Sequence, residues 1–256
     1  MPFQTHRIAA ALIVLLLWAL VTVLVGAWST QEMGTLLDVV TQGPVPAFVA
    51  AVLLLVVACA VLRWEGIGLG AVHPWRSLRI LLLPSVYLVL FFSIAVALGL
   101  PPLMVIGSIV LNCLLASFSE EVMFRGILFQ GLRSRLAIWP AIWVTSLLFG
   151  AIHSLNVFLT GEMAQALVQS VAAVMSGVLF IAMRLRTGSL WPPILFHAAW
   201  NASTFLLVAA AGAGSAPPPE TSGLALVAPL LFVLPNLLYG LYLLRDIEYR
   251  AATGTA

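Results

Sequence analysis

The chain alternates long apolar runs with short polar links, and this alternation restricts its possible folds more than any other feature. A helix needs about 20 residues to cross a hydrocarbon core of about 30 Å. Eight runs approach or exceed that length: residues 8–28, 45–62, 78–99, 103–124, 139–158, 163–183, 190–211 and 224–244. Because 62% of all residues are hydrophobic and only 8% are charged, a soluble core does not account for these runs. The sequence therefore predicts an all-α, polytopic membrane helix bundle of about eight transmembrane helices.

The basic residues give an independent test of this arrangement. With eight helices, every basic residue falls in a link or terminus on one side of the membrane, and the links on the other side contain none. All eleven are arginines, namely Arg7, Arg63, Arg76, Arg79, Arg125, Arg133, Arg135, Arg184, Arg186, Arg245 and Arg250. Because cytoplasmic loops are enriched in Lys and Arg, both termini are predicted to be cytoplasmic. The arginines are interpreted as orientation signals in a lipid bilayer, and no nucleic-acid partner is expected.

The first apolar run admits a second interpretation, a signal peptide that is cleaved near the small residues Val25 to Ala27. Its apolar core is longer than the 7–15 residues usual for such signals, so a retained first helix is expected. No internal repeat or soluble insertion interrupts the chain, and we expect a single domain over residues 1–256. Its two cysteines, Cys59 and Cys113, lie within predicted spans, where neither a disulfide nor a thiolate metal site is expected.

Three charges stand at the end of the fourth run, in the stretch SFSEEVMFRG from Ser117 to Gly126. A carboxylate near the bilayer centre costs roughly 2.5–3.5 kcal/mol on insertion scales, so it needs a partner or a function. Glu121 and Arg125 are four residues apart, which makes them neighbours on a helix, whereas Glu120 has the apolar Phe124 at that spacing. An alternative is that the helix ends early and that all three charges reach cytoplasmic water.

Titratable or amide side chains also occur in two later runs. FGAIH places Phe149 and His153 on one helix face, and FHAAWN places His197 and Asn201 on another. A lone membrane histidine is as consistent with a hydrogen bond between helices as with catalysis, and Asn201 or Phe149 alone would indicate packing. Together with Glu120 they form a plausible hydrolytic site if the three helices converge.

The ordered set EEVMFR, FGAIH and FHAAWN resembles the EExxxR, FxxxH and HxxxN motifs of the CPBP family, which includes CAAX prenyl endopeptidases and bacteriocin-processing or self-immunity membrane proteins. The motifs occupy residues 120–201, within a predicted motif core at 117–201. The resemblance implies an intramembrane endopeptidase acting on a membrane-associated peptide or protein. Glu120 and His153 would activate water, and His197 and Asn201 would form the oxyanion hole.

The remaining motif positions, Glu121, Arg125 and Phe149, are implied to be supporting residues. No metal is expected, although a metal-dependent version, with zinc held by Glu120, His153 and His197, is an alternative because these are zinc-ligand types. A non-catalytic membrane scaffold or immunity protein is the alternative from another class. The inverted repeats and broken helices typical of transporters are not evident.

The sequence also predicts where the site lies and in which membrane. Counting residues from the nearest predicted cytoplasmic helix boundary, we expect the site in the cytoplasmic half of the bilayer, open to water from the cytoplasm. The Arg-only composition is more typical of a bacterial protein, so a multi-pass protein of the bacterial cytoplasmic (inner) membrane is expected, with prenylated substrates not expected.

Overall fold

The computed structural model describes residues 6–29, 34–212 and 223–253, and in these ranges the regular structure is helical. This agrees with a chain in lipid, where every backbone polar group must be satisfied internally. Twelve α-helices are assigned within these ranges: α1 Arg7–Ser29, α2 Leu36–Thr41, α3 Pro46–Val61, α4 Leu82–Leu98, α5 Leu103–Glu121, α6 Phe129–Arg133, α7 Ile138–His153, α8 Val157–Thr160, α9 Met163–Thr187, α10 Trp191–Gly212, α11 Gly223–Leu244 and α12 Ile247–Ala252.

Seven helical stretches in the described part are long and apolar enough to cross a membrane. The eighth candidate, α3, has 16 residues and is shorter than a full span. The prediction of a polytopic helical bundle is confirmed, and the protein is an integral, multi-pass membrane protein. The count of eight spans and the cytoplasmic position of both termini stay predictions.

The bundle is organised around two long helices. Helix α9 packs along α7 on one side and α11 on the other, while α10 packs along α4 and α5, and α1 packs along α3. Small residues permit the close approaches: a Cβ at Gly240 of α11 would lie 2.9 Å from the backbone nitrogen of Leu179 on α9. Such small-residue contacts are typical of helix association in lipid, where van der Waals packing replaces the hydrophobic driving force.

The fourth predicted span ends later than the sequence indicates. Helix α5 continues through a π-helical segment, Val122–Leu128, into α6, so that one helical stretch runs from Leu103 to Arg133. The assignment of Arg125 to a cytoplasmic link is therefore wrong, because this side chain is fully buried inside the bundle. The early helix end that would have exposed the three charges to water is excluded as well.

Candidate active site

The adjacent glutamates Glu120 and Glu121 enter different environments. The side chain of Glu121 has no solvent exposure, whereas that of Glu120 is 18% exposed and lines a cavity. A rotation of about 100° per residue separates their directions on a helix. The division into one paired and one unpaired carboxylate thus follows from local geometry.

Glu121 is held in what we call the buried ion layer, defined by Glu121, Arg125 and the rings of Phe149 and Phe180. Its Oε1 accepts a hydrogen bond from Arg125 Nη1 at 2.9 Å, which is the ion pair expected from the spacing of the two residues. The guanidinium carbon of Arg125 lies 4.1 Å from the ring centroid of Phe149 and 5.2 Å from that of Phe180. Cation–π contacts of this kind are strongest where water is excluded, so the layer can keep an arginine charged inside the bundle.

The π-helical segment Val122–Leu128 begins directly after Glu121, and all of its seven residues are buried. A π turn contains one residue more per turn than the surrounding helix and is frequent at functional sites. Arg125 lies in this segment and also points Nη2 at the carbonyl oxygen of Gly177 on α9, at 3.4 Å. The helix therefore continues through its charged stretch instead of ending there.

Glu120, His153 and Asn201 form what we call the cavity wall, since all three line the same cavity. Glu120 Oε2 lies 4.0 Å from His153 Nε2 and makes no hydrogen bond with the described residues. His153 Nδ1 lies 2.7 Å from the carbonyl oxygen of Phe149. A carbonyl can only accept, so Nδ1 carries the proton, and the Nε2 of a neutral His153 presents its lone pair toward Glu120.

His197 connects the two regions. Its Nδ1 lies 3.0 Å from Glu121 Oε1 in the buried ion layer, and its Nε2 lies 3.8 Å from Glu120 Oε2 at the cavity wall. The imidazole is stacked on the Phe180 ring, with centroids 4.6 Å apart and planes 26° apart. The ring is thereby fixed both by a hydrogen bond and by packing.

Phe149 supports the same arrangement from α7. It is 1% exposed, and its ring contacts the imidazoles of His153 and His197 with centroid distances of 4.8 and 6.0 Å. Together with its contact to Arg125, this places Phe149 at the junction of the buried ion layer and the cavity wall. The structure thus brings six of the seven sequence-predicted residues into direct contact, and Asn201 faces the same cavity.

The cavity has a volume of about 140 Å³ and is bounded mainly by apolar side chains of α1, α2, α3, α5, α10 and the segment from α7 to α8. One wall is fixed by Asn112 of α5, whose side-chain amide donates to the carbonyls of Val40 at 3.0 Å and Gly43 at 2.6 Å and accepts from Val45 N at 2.9 Å. All of these partners are backbone groups of α2 and of the stretch that joins it to α3. Asn112 therefore positions the cavity and not the reacting groups.

Sequence reasoning missed several polar residues of the cavity, among them Asn156 and Gln169. Asn156 donates from Nδ2 to Gln169 Oε1 at 2.8 Å, and this pair joins the segment after α7 to α9. Asn156 is three residues beyond His153, but neither residue belongs to a motif or an apolar-face pattern that could have indicated it.

The three alternative zinc ligands lie near one another, with Glu120 Oε2 4.0 Å from His153 Nε2 and 3.8 Å from His197 Nε2. Within residues 6–29, 34–212 and 223–253, no group of three His, Cys, Asp or Glu side chains is arranged to hold a metal ion. We therefore derive no catalytic step through a metal.

Comparisons with known proteins agree with the motif set. Residues 102–203 match the family model of the type II CAAX prenyl endopeptidase Rce1-like proteins. An Escherichia coli protein described as an uncharacterized 24.3 kDa protein is 35% identical over 86 residues, which are 33% of this chain and 36% of that protein. The match thus spans about a third of the curated relative, and no solved structure matches the chain. Residues 102–203, which match the family model, contain every residue of the buried ion layer and of the cavity wall.

Proposed function

We propose that the protein is an intramembrane endopeptidase that hydrolyses a peptide bond of a membrane-associated peptide or protein, because residues 102–203 match the Rce1-like family model. The observation that supports this most is the position of Glu120 Oε2, a carboxylate oxygen without a hydrogen-bond partner among the described residues that faces two imidazole nitrogens in a cavity. The proposed location is the cytoplasmic membrane of a bacterium.

In the proposed reaction, Glu120 acts as the general base. The 4.0 Å separation of Glu120 Oε2 and His153 Nε2 is too long for a direct hydrogen bond but suits two groups that hold one water between them. The water oxygen attacks the carbonyl carbon of the substrate while its proton passes to Glu120. A carboxylate in a low-dielectric, partly buried site is well suited to this task.

The second half of the reaction uses the remaining groups. The oxyanion of the tetrahedral intermediate accepts hydrogen bonds from Asn201 Nδ2 and from His197 Nε2. His197 donates from Nε2 when it is doubly protonated, because Nδ1–H is directed at Glu121. As the intermediate collapses, the C–N bond breaks and the proton passes from Glu120 to the leaving amine with the help of His153. Donors placed in advance at a developing charge are typically the largest contribution to catalysis.

The test is a Glu120→Gln variant compared with a matched Glu162→Gln variant. Glu162 is exposed at the start of α9 and does not line the cavity. Comparison of membrane and secreted peptides from the wild type and the two variants should show uncleaved precursors accumulating with Glu120→Gln only. Folded protein should be recovered in equal amounts from all three strains.

Two outcomes would overturn parts of this proposal. Full processing by Glu120→Gln, or a cellular role that persists in both Glu120→Gln and His153→Ala, would indicate a non-catalytic scaffold. Loss of wild-type cleavage after exhaustive chelation, with recovery on adding zinc, would show that the hydrolysis depends on a metal. We expect cleavage to survive chelation.

A further inference from the structure

One hydrogen-bonded pair in the cavity takes no part in the proposed reaction. Asn156 donates from Nδ2 to Gln169 Oε1 at 2.8 Å, and both side chains line the cavity that contains Glu120. Both are partly exposed, and the walls around them are mainly apolar. We call these two residues the amide pair. It gives the cavity a polar element in addition to the reacting groups.

The bond within the amide pair leaves part of its hydrogen-bonding capacity open. A carboxamide has an acceptor oxygen and an NH₂ group with two donors. Within the described part of the chain, neither Asn156 Oδ1 nor Gln169 Nε2 has a hydrogen-bond partner. Turning over both amides would exchange their roles and leave the same set. In either arrangement the pair presents one N–H donor and one acceptor oxygen.

A donor beside an acceptor complements one residue of an extended peptide. In an antiparallel ladder, the N–H and C=O of such a residue exchange both hydrogen bonds with one partner residue, and the amide pair offers the same two groups. A peptide in an apolar cavity needs them, because a buried backbone group without a partner is costly. Leu155 and Leu159 line the cavity beside Asn156 and suit apolar side chains. A lipid chain would leave the pair unused.

The amide pair is one helical turn away from the reacting groups. Residues Ser154–Asn156 form a 3₁₀-helix directly after His153, and side chains three residues apart are eclipsed in such a helix. This explains why His153 and Asn156 line the same cavity. The 3₁₀ rise of about 2.0 Å per residue separates them by roughly 6 Å, and an extended peptide advances about 3.3–3.6 Å per residue. The pair therefore lies about two substrate residues from the bond at Glu120.

We propose that Asn156 and Gln169 form a backbone-binding subsite, which holds an extended, apolar peptide segment through the N–H and C=O of one residue. The inference rests on the proposed peptidase function in identifying this segment as the substrate. Because the amide pair contacts the backbone and the apolar walls contact the side chains, the subsite selects an extended conformation and apolar character more than a particular sequence.

The test is peptide binding to the full-length Glu120→Gln protein in detergent, where cleavage does not interfere. The probe is acetyl-trileucine N-methylamide, and its comparison is the same peptide with every backbone nitrogen methylated. The methylated peptide keeps the carbonyls and the leucine side chains but has no N–H. Dissociation constants are measured by calorimetry for the Glu120→Gln protein and for three variants of it.

The variants separate the amide pair from its surroundings. Asn156→Leu with Gln169→Met removes both amides. Gln165→Met is the matched control, because Gln165 is an exposed amide one turn earlier on α9 that does not line the cavity. Gln169→Glu keeps an acceptor for Asn156 Nδ2 but has no NH₂ group, so it removes the free donor while the bond between the two residues is retained.

We expect backbone methylation to weaken binding about fivefold in the Glu120→Gln protein and in the Gln165→Met control, as for the loss of one hydrogen bond. Methylation should have no effect in the double variant. Gln169→Glu should weaken the binding of both peptides about fivefold, because the substrate carbonyl loses its donor. A loosened fold does not by itself remove the difference between the two peptides, so this difference reports on the amide pair.

Three results would overturn the subsite. The Glu120→Gln protein might bind neither peptide, or bind both equally, in which case the cavity accepts apolar chains without contacting their backbone through the pair. A methylation effect that persists in the double variant would place the recognised N–H elsewhere. Unchanged binding in Gln169→Glu would exclude the donor even if the double variant did not fold. Cleavage is not measured here, so failure of the peptidase proposal is detected separately, by the absence of precursors in the Glu120→Gln strain.

Discussion

The buried ion layer and the cavity wall begin at adjacent residues but solve the problem of a membrane-embedded carboxylate in different ways. Glu121 forms an ion pair with Arg125 and a hydrogen bond with His197, and the rings of Phe149 and Phe180 pack against the guanidinium. Glu120 has neither an arginine nor a hydrogen bond within the described residues and faces two imidazoles across about 4 Å. The buried ion layer thus stabilises a charge in the ground state, whereas the cavity wall leaves its groups available for reaction.

Stability should depend on the buried ion layer far more than on the cavity wall. Arg125→Met removes the arginine but leaves Glu121 buried, and breaking a buried pair in this way costs about 3–5 kcal/mol. Thermal unfolding in detergent should show a much lower midpoint for Arg125→Met and a nearly unchanged one for Glu120→Gln. The double variant Glu121→Gln with Arg125→Met should recover part of the loss, and an unchanged midpoint in the single variant would contradict the role of the layer.

Two asparagines at the cavity should separate catalysis from positioning. Asn201→Ala removes one oxyanion donor and should slow cleavage by roughly 10²–10³-fold, with little change in the thermal midpoint. Asn112→Ala leaves three backbone groups around α2 without their side-chain partner and should destabilise the fold by about 1–3 kcal/mol. Hydrogen exchange in residues 36–45 should rise only in Asn112→Ala. Equal effects of both variants on stability would contradict this division.

The contact between Gly150 of α7 and helix α9 leaves no room for an added methyl group. A Cβ at Gly150 would lie 2.6 Å from the carbonyl oxygen of Ser170 and 3.2 Å from the nitrogen of Val174, both on α9. We expect Gly150→Ala to destabilise the protein by about 1–3 kcal/mol through overpacking. Gly107→Ala is the matched control, because nothing lies within 4 Å of its added Cβ, and it should leave the thermal midpoint unchanged or slightly raised.

The smallest effect is expected for an ion pair outside the buried ion layer. Arg186 hydrogen-bonds Asp246 between α11 and α12, and this bond lowers the pKa of Asp246, whose side chain is 44% exposed. Exposed pairs are worth about 0–1 kcal/mol, compared with several for the Glu121–Arg125 pair. Because the pKa of Asp246 is lowered in the folded state, its contribution is present above the unfolded pKa and is lost as pH falls through the folded value.

The measurement is the thermal midpoint as a function of pH. The wild type should lose a small part of its stability below about pH 4 that Asp246→Asn lacks at every pH. If Asp246→Asn instead lowered the midpoint at pH 7 as much as Arg125→Met, the contrast between exposed and buried pairs would be wrong.

Much of the candidate site follows from helical spacing. The pairing of Glu121 with Arg125, the unpaired state of Glu120 and the shared faces of Phe149 with His153 and of His197 with Asn201 all depend on residues four apart. Such neighbours are fixed as soon as a segment is helical. Spacing does not indicate the contacts of Asn112 with α2 or of Asn156 with Gln169, because these partners are 13 or more residues apart along the chain.

The sequence by itself determined the membrane-helical class, the three motif segments and the asymmetric distribution of arginine, because hydropathy, local spacing and charge are properties of short stretches. Only the tertiary structure decided that α5 continues past its charges, that Phe180 stacks on His197 and that Asn112 joins α5 to α2. These features depend on how far each helix is shifted along its neighbours. That shift is set by side-chain packing between distant segments, and no single segment encodes it.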